Sequence, residues 1–299
     1  MNELDSLVRL LDDPDPIVRE AVVGRLTELG TPATVELRDI VEGKNEREED
    51  VRLAAHEALT EIGISRMLRE LRYAAEQEEF VEGNTVEPVF DLEQAAFAVA
   101  LHRYPDLDIE EYRSRLDTMA DLLRWRSRDF DRGIDRVREI NYYLVQQQSW
   151  RGVSQKSYQD PDNSCLNCVI DRRRGIPISM TVVWLLLAKR LNLQLHGISF
   201  PVHFLARYRD GKEDFLIDPF NGGTVVTEEQ CKAFLESIGV QFHDAFLEPV
   251  DSRHVVARML RNLAEIYKEN EPRLAEAMRE GIQLLADGRE GDWGRTEEP

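Results

Sequence analysis

Cysteine is scarce in this sequence, with three among 299 residues. A small and odd number of cysteines argues against a disulfide framework and favours a protein of the reducing cytoplasm. Long apolar runs are also lacking. The longest, Met180–Ala188, contains Thr181 and is too short to cross a bilayer. The first residues do not combine a basic stretch with a long apolar one, so we do not expect a secretory signal.

Positive charge is also in short supply: 38 Lys and Arg stand against 57 Asp and Glu, a net charge of −19. Such a surface repels phosphate backbones and anionic lipids, so we expect neither nucleic acid nor membrane as a partner. The charge is unevenly distributed. Residues 163–225 carry eight basic and five acidic residues, a net +3, which leaves −22 for the rest of the chain. The acidity therefore belongs to the segments that flank a nearly neutral centre.

The N-terminal region repeats itself. Val18–Gly30 matches Val51–Gly63 at a period of 33 residues, and each copy has an apolar face at helical spacing. The glycine that closes each copy is typical of a helix C-cap. The pattern resembles a HEAT-type helical repeat, although that repeat usually spans about 40–47 residues. Because two copies cannot form a free-standing solenoid, the region either caps the helices that follow or offers a partner-binding surface.

The remaining sequence predicts an α+β fold, in which a mostly helical chain carries a small antiparallel sheet packed on a central helix. Everything up to about residue 150 is predicted to be helical, with loops at 42–50 and 80–90. The predicted elements of the first part are the helices 64–79, Leu92–Arg103, Ile109–Arg124 and Gly133–Gln147. Those of the second part are the helices 164–172 and Ile178–Leu191, the strands Leu195–Phe200, His203–Tyr208 and Asp214–Ile217, and the helical hairpin Arg253–Lys268 and Pro272–Leu285.

The strands carry one combination of residues with chemical potential. His203 begins one strand and Asp218 ends the next, 15 residues later, with the turn Arg209–Lys212 between them. In such a hairpin the carboxylate can hold the imidazole in one tautomer, as in the base-and-orienter half of a nucleophilic triad. The nucleophile should then lie at the N-terminus of the preceding helix, where the helix dipole lowers the pKa of a thiol. A purely structural His–Asp hydrogen bond is the alternative.

Several motifs in this order resemble the transglutaminase-like superfamily, and more closely its SirB-type bacterial branch. The residues that carry the resemblance are Tyr158–Ser164, Arg172–Ser179, Pro201–Phe204 and Ile217–Phe220, with Arg103–Asp108 upstream and Arg258–Leu263 downstream. The resemblance covers about residues 90–285. It implies a papain-like core with a His–Asp pair, helical flanks and tetratricopeptide-like helices at the C-terminus.

The same resemblance places a proline where the nucleophile should be. Active members of the superfamily begin the central helix with Gly-x-Cys, and the matching string here is Gly175-Ile176-Pro177. Counting forward to the helix end at Leu191-Asn192-Leu193 also places Pro177, and not Ser179, at the cysteine position. Ser179 could act as a hydroxyl nucleophile or be an ordinary serine of the first helical turn. Cys165 and Cys168 form a single Cys-x-x-Cys pair, which suits helix packing better than metal or redox chemistry.

We therefore expect a transglutaminase-like protein without the thiol nucleophile, acting in the cytoplasm as a protein-interaction or regulatory module. The alternative is a hydrolase or acyl transferase on a peptide-like amide, with His203, Asp218 and either Ser179 or water. Asn163, Pro177 and Tyr158 are expected to line the cleft. No cofactor or metal is expected, and the partner is a protein or peptide. The expected regions are HEAT-like repeats at 1–65, a helical lead-in at 66–157, the transglutaminase-like core at 158–248, a tetratricopeptide-like hairpin at 249–286 and a flexible tail at 287–299.

Overall fold

A computed structural model describes residues 3–44, 49–81 and 85–286. The helices are α1 Glu3–Val8, α2 Pro16–Leu29, α3 Thr31–Val41, α4 Glu49–Ala75, α5 Leu92–Ala100, α6 Ile109–Arg126, α7 Gly133–Asn141, α8 Leu166–Arg172, α9 Pro177–Arg190, α10 Glu228–Ser237, α11 Ser252–Tyr267 and α12 Pro272–Ala286. A π-helical turn, Tyr142–Gln147, continues α7. The tail predicted at 287–299 and parts of the loops predicted at 42–50 and 80–90 lie outside the described residues. No helix of the described ranges is both long enough and apolar enough to cross a membrane.

The strands form one larger sheet and two small pairs. They are β1 Glu78–Val81, β2 Thr85–Pro88, β3 Arg151–Gly152, β4 Arg174–Gly175, β5 Leu195–Ile198, β6 Leu205–Arg209, β7 Asp214–Asp218 and β8 Thr224–Val226. The last four make an antiparallel sheet in the order β5-β6-β7-β8. This small sheet in a mostly helical chain confirms the predicted α+β class.

The central helix α9 is buried along most of its length. Every residue from Pro177 to Ala188 is buried, so this segment can serve as a core element for the sheet and for the surrounding helices. Pro177 occupies the first helical position, where its missing N–H leaves no hydrogen bond unmade. The last turn leaves the core with Arg190, whose guanidinium forms ion pairs with Glu93 and Asp117. These pairs tie the end of α9 to α5 and α6.

Two strand pairs outside the four-stranded sheet were not expected. β1 and β2 form an antiparallel hairpin in which Glu78 is opposite Pro88, so the prediction that everything up to residue 150 is helical is wrong. The segment contains Val81, Thr85 and Val86, and β-branched residues of this kind favour strands. In addition, β3 pairs in parallel with β4, which lies just before α9.

The two N-terminal repeat copies have different structures. Gly30 ends α2 with a φ of +68°, a left-handed conformation that favours glycine. Gly63 lies inside the continuous helix α4, so the expected C-cap there is wrong. A Cβ atom on Gly63 would lie 2.7 Å from the carbonyl oxygen of His102. The glycine is therefore explained by close helix packing and not by a turn.

Helix α4 joins two hydrophobic cores. Ile62 belongs to the N-terminal core formed with α1, α2 and α3, whereas Ile64 belongs to the main core. A bidentate ion pair between Arg38 on α3 and Asp106 in the loop before α6 adds a polar connection between the two parts. At the other end of the chain, α11 and α12 pack against each other, and α12 also packs against α4. Helices α2 and α3 near the N-terminus and α12 near the C-terminus thus pack against the same long helix.

Candidate functional site

The sheet brings His203 and Asp218 together. Ala206 of β6 is opposite Ile217 of β7, so the residues just before β6 lie beside the last residue of β7. His203 lies in the turn before β6 and donates its backbone N–H to the carbonyl oxygen of Phe200 over 3.1 Å. The imidazole Nε2 lies 2.9 Å from Oδ2 of Asp218. Both residues come from places that the sequence indicated, although His203 precedes the strand instead of beginning it.

Asp218 is buried and fully hydrogen-bonded. Asn221 donates its side-chain Nδ2 to Oδ2 over 2.8 Å and its backbone N–H to Oδ1 over 3.1 Å. Burial by itself would raise the pKa of Asp218, but the hydrogen bonds from His203 and Asn221 outweigh it and hold the pKa below its usual value. The carboxylate is therefore charged at neutral pH. It can hold the imidazole in the tautomer that donates from Nε2.

The loop that follows Asp218 is held from the other side of the core. Gly223 returns its N–H to the carbonyl oxygen of Asp218 over 2.8 Å, and its own carbonyl accepts from Nδ2 of Asn141 over 2.5 Å. Asn141 also accepts from the indole Nε1 of Trp184 on α9 over 2.6 Å. A Cβ atom on Gly223 would meet the Asn141 amide at 2.2 Å, and the φ of +68° also favours glycine. The central helix thus supports the Asp218 loop through one asparagine.

His203 lines a cleft of about 590 Å³. The cleft opens to solvent, because the exposed residues Gln155 and Val202 form part of its wall. The His203 side chain is 16% exposed, and the ring of Phe220 contacts its imidazole edge-on at a centroid distance of 5.8 Å. With Nε2 donating to Asp218, Nδ1 is the ring atom that can accept a hydrogen bond from a ligand or a water. The histidine is therefore partly buried but not sealed.

Val202 has an unusual backbone conformation beside the histidine. Its φ is +51°, which is costly for a β-branched residue. The turn places this side chain in the cleft wall next to His203, where it is 59% exposed. Strained residues of this kind often accompany functional sites, because the surrounding structure holds them in place.

Pro177 and Tyr158 line the same cleft as His203. Pro177 begins α9, so a nucleophile at this position would have had the N-terminus of a 14-residue helix and the imidazole in one cavity. Proline has no group that can attack a carbonyl carbon. The arrangement therefore pairs an imidazole with a hydrogen-bonded carboxylate, and Pro177 leaves no nucleophilic side chain at the helix start.

The structure places Ser179 and Asn163 outside the lining of the cleft. Ser179 is fully buried, and its hydroxyl donates to the carbonyl oxygen of Asn163 over 2.6 Å while accepting from the backbone N–H of Ile176 over 3.1 Å. Asn163 is buried as well and donates its Nδ2 to the carbonyl oxygen of Ser157 over 2.6 Å. Both side chains therefore serve local structure: Ser179 caps α9, and Asn163 holds the turn before Tyr158.

The cysteines provide no substitute for the absent thiol. Cys165, Cys168 and Cys231 are all free and buried. Burial raises the pKa of Cys165 well above its ordinary value and raises that of Cys168 as well. Buried thiols with a raised pKa are poor nucleophiles. No group of three His, Cys, Asp or Glu side chains suited to a metal ion occurs among the residues that the structure describes.

Four residues of the site were missed by the sequence reasoning. Asn221 could have been found, because an Asn three residues after Asp218 in a Gly-rich turn is typical of a side chain that caps the loop. Phe220 lies in the Ile217–Phe220 motif that carries the resemblance, but it had no assigned role. Arg258 and Asn262 of α11 line the cleft, yet no local pattern links this helix to the histidine.

The geometry agrees with the comparisons to known proteins. A model of the transglutaminase-like superfamily matches residues 110–261, about half of the chain, and this span includes the His–Asp pair and the central helix. The chain belongs to the transglutaminase-like superfamily. No solved structure matches it.

Curated relatives of this superfamily member come from bacteria and animals. A UPF0162 protein of Xylella fastidiosa strain 9a5c is 34% identical over 182 residues, which are 59% of this chain and 64% of the relative. F-box only protein 21 of Mus musculus is 33% identical over 156 residues, or 50% of this chain and 23% of the relative. A UPF0162 protein of Vibrio cholerae is 33% identical over 111 residues, or 35% of this chain and 40% of the relative. The matches span less than two thirds of each relative's own length.

Proposed function

We propose that this transglutaminase-like protein binds a peptide segment of a partner protein in the cleft and performs no thiol chemistry on it. The observation that carries the proposal is Pro177 at the first position of α9, in the same cavity as His203. A proline there removes the nucleophile but leaves the substrate-sized cleft. The module acts in the cytoplasm as an interaction or regulatory protein.

The cleft suits an extended peptide in both shape and chemistry. Its volume of about 590 Å³ is within the range of ligand pockets, about 300–1,000 Å³. Phe220 and Tyr158 supply aromatic surface, and Nδ1 of His203 can accept a backbone N–H. Asp218 then has a positioning role, because it holds the imidazole in the tautomer with an accepting Nδ1.

The organisation of the flanks is part of the same proposal. We assign the chain to the SirB-type branch, with HEAT-like helices at the N-terminus and tetratricopeptide-like helices in α11 and α12. Two features support the idea that these flanks matter to binding. Helix α11 contributes Arg258 and Asn262 to the cleft wall. The N-terminal helices reach the main core through α4, so either flank can influence the cleft by packing.

A second candidate function is hydrolysis of a peptide-like amide by an activated water. It is favoured by one observation: His203 lines a solvent-accessible cleft while Asp218 holds its Nε2, as a general base requires. Ser179 is poorly suited to replace the water, since its hydroxyl is buried and engaged on both sides.

Two measurements test these functions. In the first, ¹H–¹⁵N spectra of the protein are recorded with a pool of acetylated pentapeptide amides, and Tyr158→Ala is compared with Tyr73→Ala. Tyr73 is an exposed tyrosine of α4, outside the cleft lining. We expect shifts around the cleft that Tyr158→Ala weakens and Tyr73→Ala does not. A pool that leaves the cleft signals unmoved would refute peptide binding.

The second measurement separates binding from catalysis. The peptide pool is incubated with wild type and with His203→Ala, cleavage is followed by mass spectrometry, and both proteins are treated with an electrophilic activity probe. We expect no cleavage and equal labelling. Turnover that disappears in His203→Ala would establish the hydrolase in place of the binding module.

A further inference from the structure

A basic side chain, Arg258, lines the cleft of a chain whose net charge is −19. The described residues that line the cleft include Arg258 but neither Asp nor Glu. Asp218 accepts a hydrogen bond from Nε2 of His203 but does not itself line the cavity. Arg258 therefore places a positive charge in the cleft wall of a chain whose net negative charge otherwise repels anions.

Arg258 is held in position by the residues around it. It is half-buried on α11, and its Nη1 donates to the hydroxyl of Ser199 over 3.0 Å. This contact orients the planar guanidinium, whose five N–H groups form a rigid fork. A guanidinium fixed in this way matches a carboxylate, which it can bind through two parallel hydrogen bonds.

Two further donors lie in the same wall. Asn262 is four residues after Arg258 on α11, so both side chains lie on one face of the helix, and both line the cleft. The third is the hydroxyl of Tyr158. Burial raises the pKa of Tyr158, and the nearby charge of Arg258 offsets only part of this effect, so the phenol keeps its proton. The cleft wall thus offers a guanidinium, an amide and a phenol as hydrogen-bond donors.

We propose that Arg258, Asn262 and Tyr158 form a carboxylate subsite, which selects peptides that place an acidic side chain or a free C-terminus beside these three residues. The inference rests on the proposed peptide binding and makes its ligand specific. It also assigns a role to the C-terminal helical hairpin, because α11 supplies two of the three residues. An acidic chain needs such a local cation to accept an acidic ligand.

The test uses four acetylated pentapeptides and the full-length protein. The peptides are Ac-Ala-Phe-Ala-Glu-Ala-amide, its Gln counterpart, the Gln peptide with a free C-terminal carboxylate, and an all-Ala amide. Binding is followed by ¹H–¹⁵N NMR titration, with the Asn262 side-chain amide as a local reporter. We expect at least one of the two carboxylate peptides to bind about tenfold more tightly than the Gln amide, an increment typical of charge-assisted hydrogen bonds. Which of the two gains identifies the source of the carboxylate.

Two arginine variants of the same helix provide the matched comparison. Arg258→Gln should abolish the preference for the carboxylate, whereas Arg261→Gln should retain it. Both remove one positive charge from α11, but Arg261 is not among the cleft-lining residues. Arg258→Lys keeps the charge without the fork and should retain only part of the preference. Thermal melting of each variant checks that the fold is kept.

Each outcome bears on a different claim. Equal binding of all four peptides to the wild-type cleft would overturn the carboxylate subsite and leave the proposed peptide binding in place. A carboxylate preference that survives Arg258→Gln, or is lost equally in Arg261→Gln, would also overturn it. If no peptide moves the cleft signals, the proposed function fails, and the subsite fails with it.

Discussion

Restoring a thiol at the start of α9 is the sharpest test of the site. Pro177→Cys places the sulfur at the first position of a 14-residue helix, in the cleft that His203 lines. The substitution should be tolerated, because the first helical position has no obligatory backbone hydrogen bond in either case. If the geometry is that of a transglutaminase-like site without its nucleophile, the pKa of the new thiol should be lowered and its reactivity near neutral pH raised without any further substitution.

The magnitude follows from the position. A free thiol has a pKa of about 8.5, and thiols at helix N-termini or beside histidine fall to about 3.5–7.5. For a pKa of about 6, the thiolate fraction at pH 6 rises from about 0.3% to about half, or roughly 150-fold. The lower basicity reduces the intrinsic nucleophilicity by roughly 13-fold for a Brønsted slope of about 0.45. We therefore expect alkylation at pH 6 about ten times faster than that of an unperturbed thiol.

The assay is the rate of alkylation by iodoacetamide at pH 6, read by intact mass with glutathione as the reference thiol. Wild type supplies the background, which should be slow because Cys165, Cys168 and Cys231 are at most 7% exposed. The double variant Pro177→Cys with His203→Ala tests whether the imidazole contributes. The reasoning would be refuted if the introduced thiol were alkylated no faster than glutathione. It would also be refuted if the thiol reacted equally fast in the double variant.

Three further predictions concern stability. Asp218→Asn should lower the melting temperature at pH 7, and the gap to wild type should close as pH falls below about 4. The pKa of the Asp218 carboxyl is lowered in the folded protein, so the charged carboxylate contributes its full stabilisation above the unfolded-state pKa of about 3.9 and loses it in acid. A difference in melting temperature between wild type and Asp218→Asn that stays constant from pH 3 to 7 would contradict this. Gly63→Ala should cost about 2–3 kcal/mol in urea unfolding, since its Cβ would lie 2.7 Å from a backbone carbonyl oxygen. By contrast, Gly24→Ala, with nothing within 4 Å, should gain up to about 1 kcal/mol, and similar effects at both sites would refute the packing argument. Val202→Gly should relieve strain of about 1–3 kcal/mol and leave the melting temperature unchanged or higher, and a fall of several degrees would count against a strained valine.

Local patterns were enough to predict the order of the central elements. The apolar run after Pro177 predicts a buried helix, and the structure has one at Pro177–Arg190. The turn residues Arg209–Lys212 predict a hairpin, which places Asp218 within 2.9 Å of His203. These features depend on residues close together in sequence, whose periodicity and turn chemistry act over a few positions.

Other features depended on which segments pack together. The role of Gly63 was missed, because propensity gives no information about a neighbour such as the carbonyl of His102. The β1–β2 hairpin was missed although its β-branched residues favour strands. Ser179 and Asn163 lie in motifs that were expected to form the site, yet their side chains make local hydrogen bonds and do not line the cavity. A residue's position in a motif does not determine whether its side chain lines the cleft or makes local hydrogen bonds.

The sequence was enough to place Pro177 at the cysteine position, because the resemblance to the superfamily and the register of the central helix both depend on residues close together in the chain. It also determined the order of the central helix, the strand that follows His203 and the strand that ends at Asp218, because the spacing of residues within each segment predicts it. Only the tertiary structure decided what else surrounds the imidazole. Arg258 is 55 residues from His203 in the sequence, and it reaches the cleft because α11 packs against α5 and α9. Such long-range packing depends on the complementary faces of several helices at once, and no single segment encodes it.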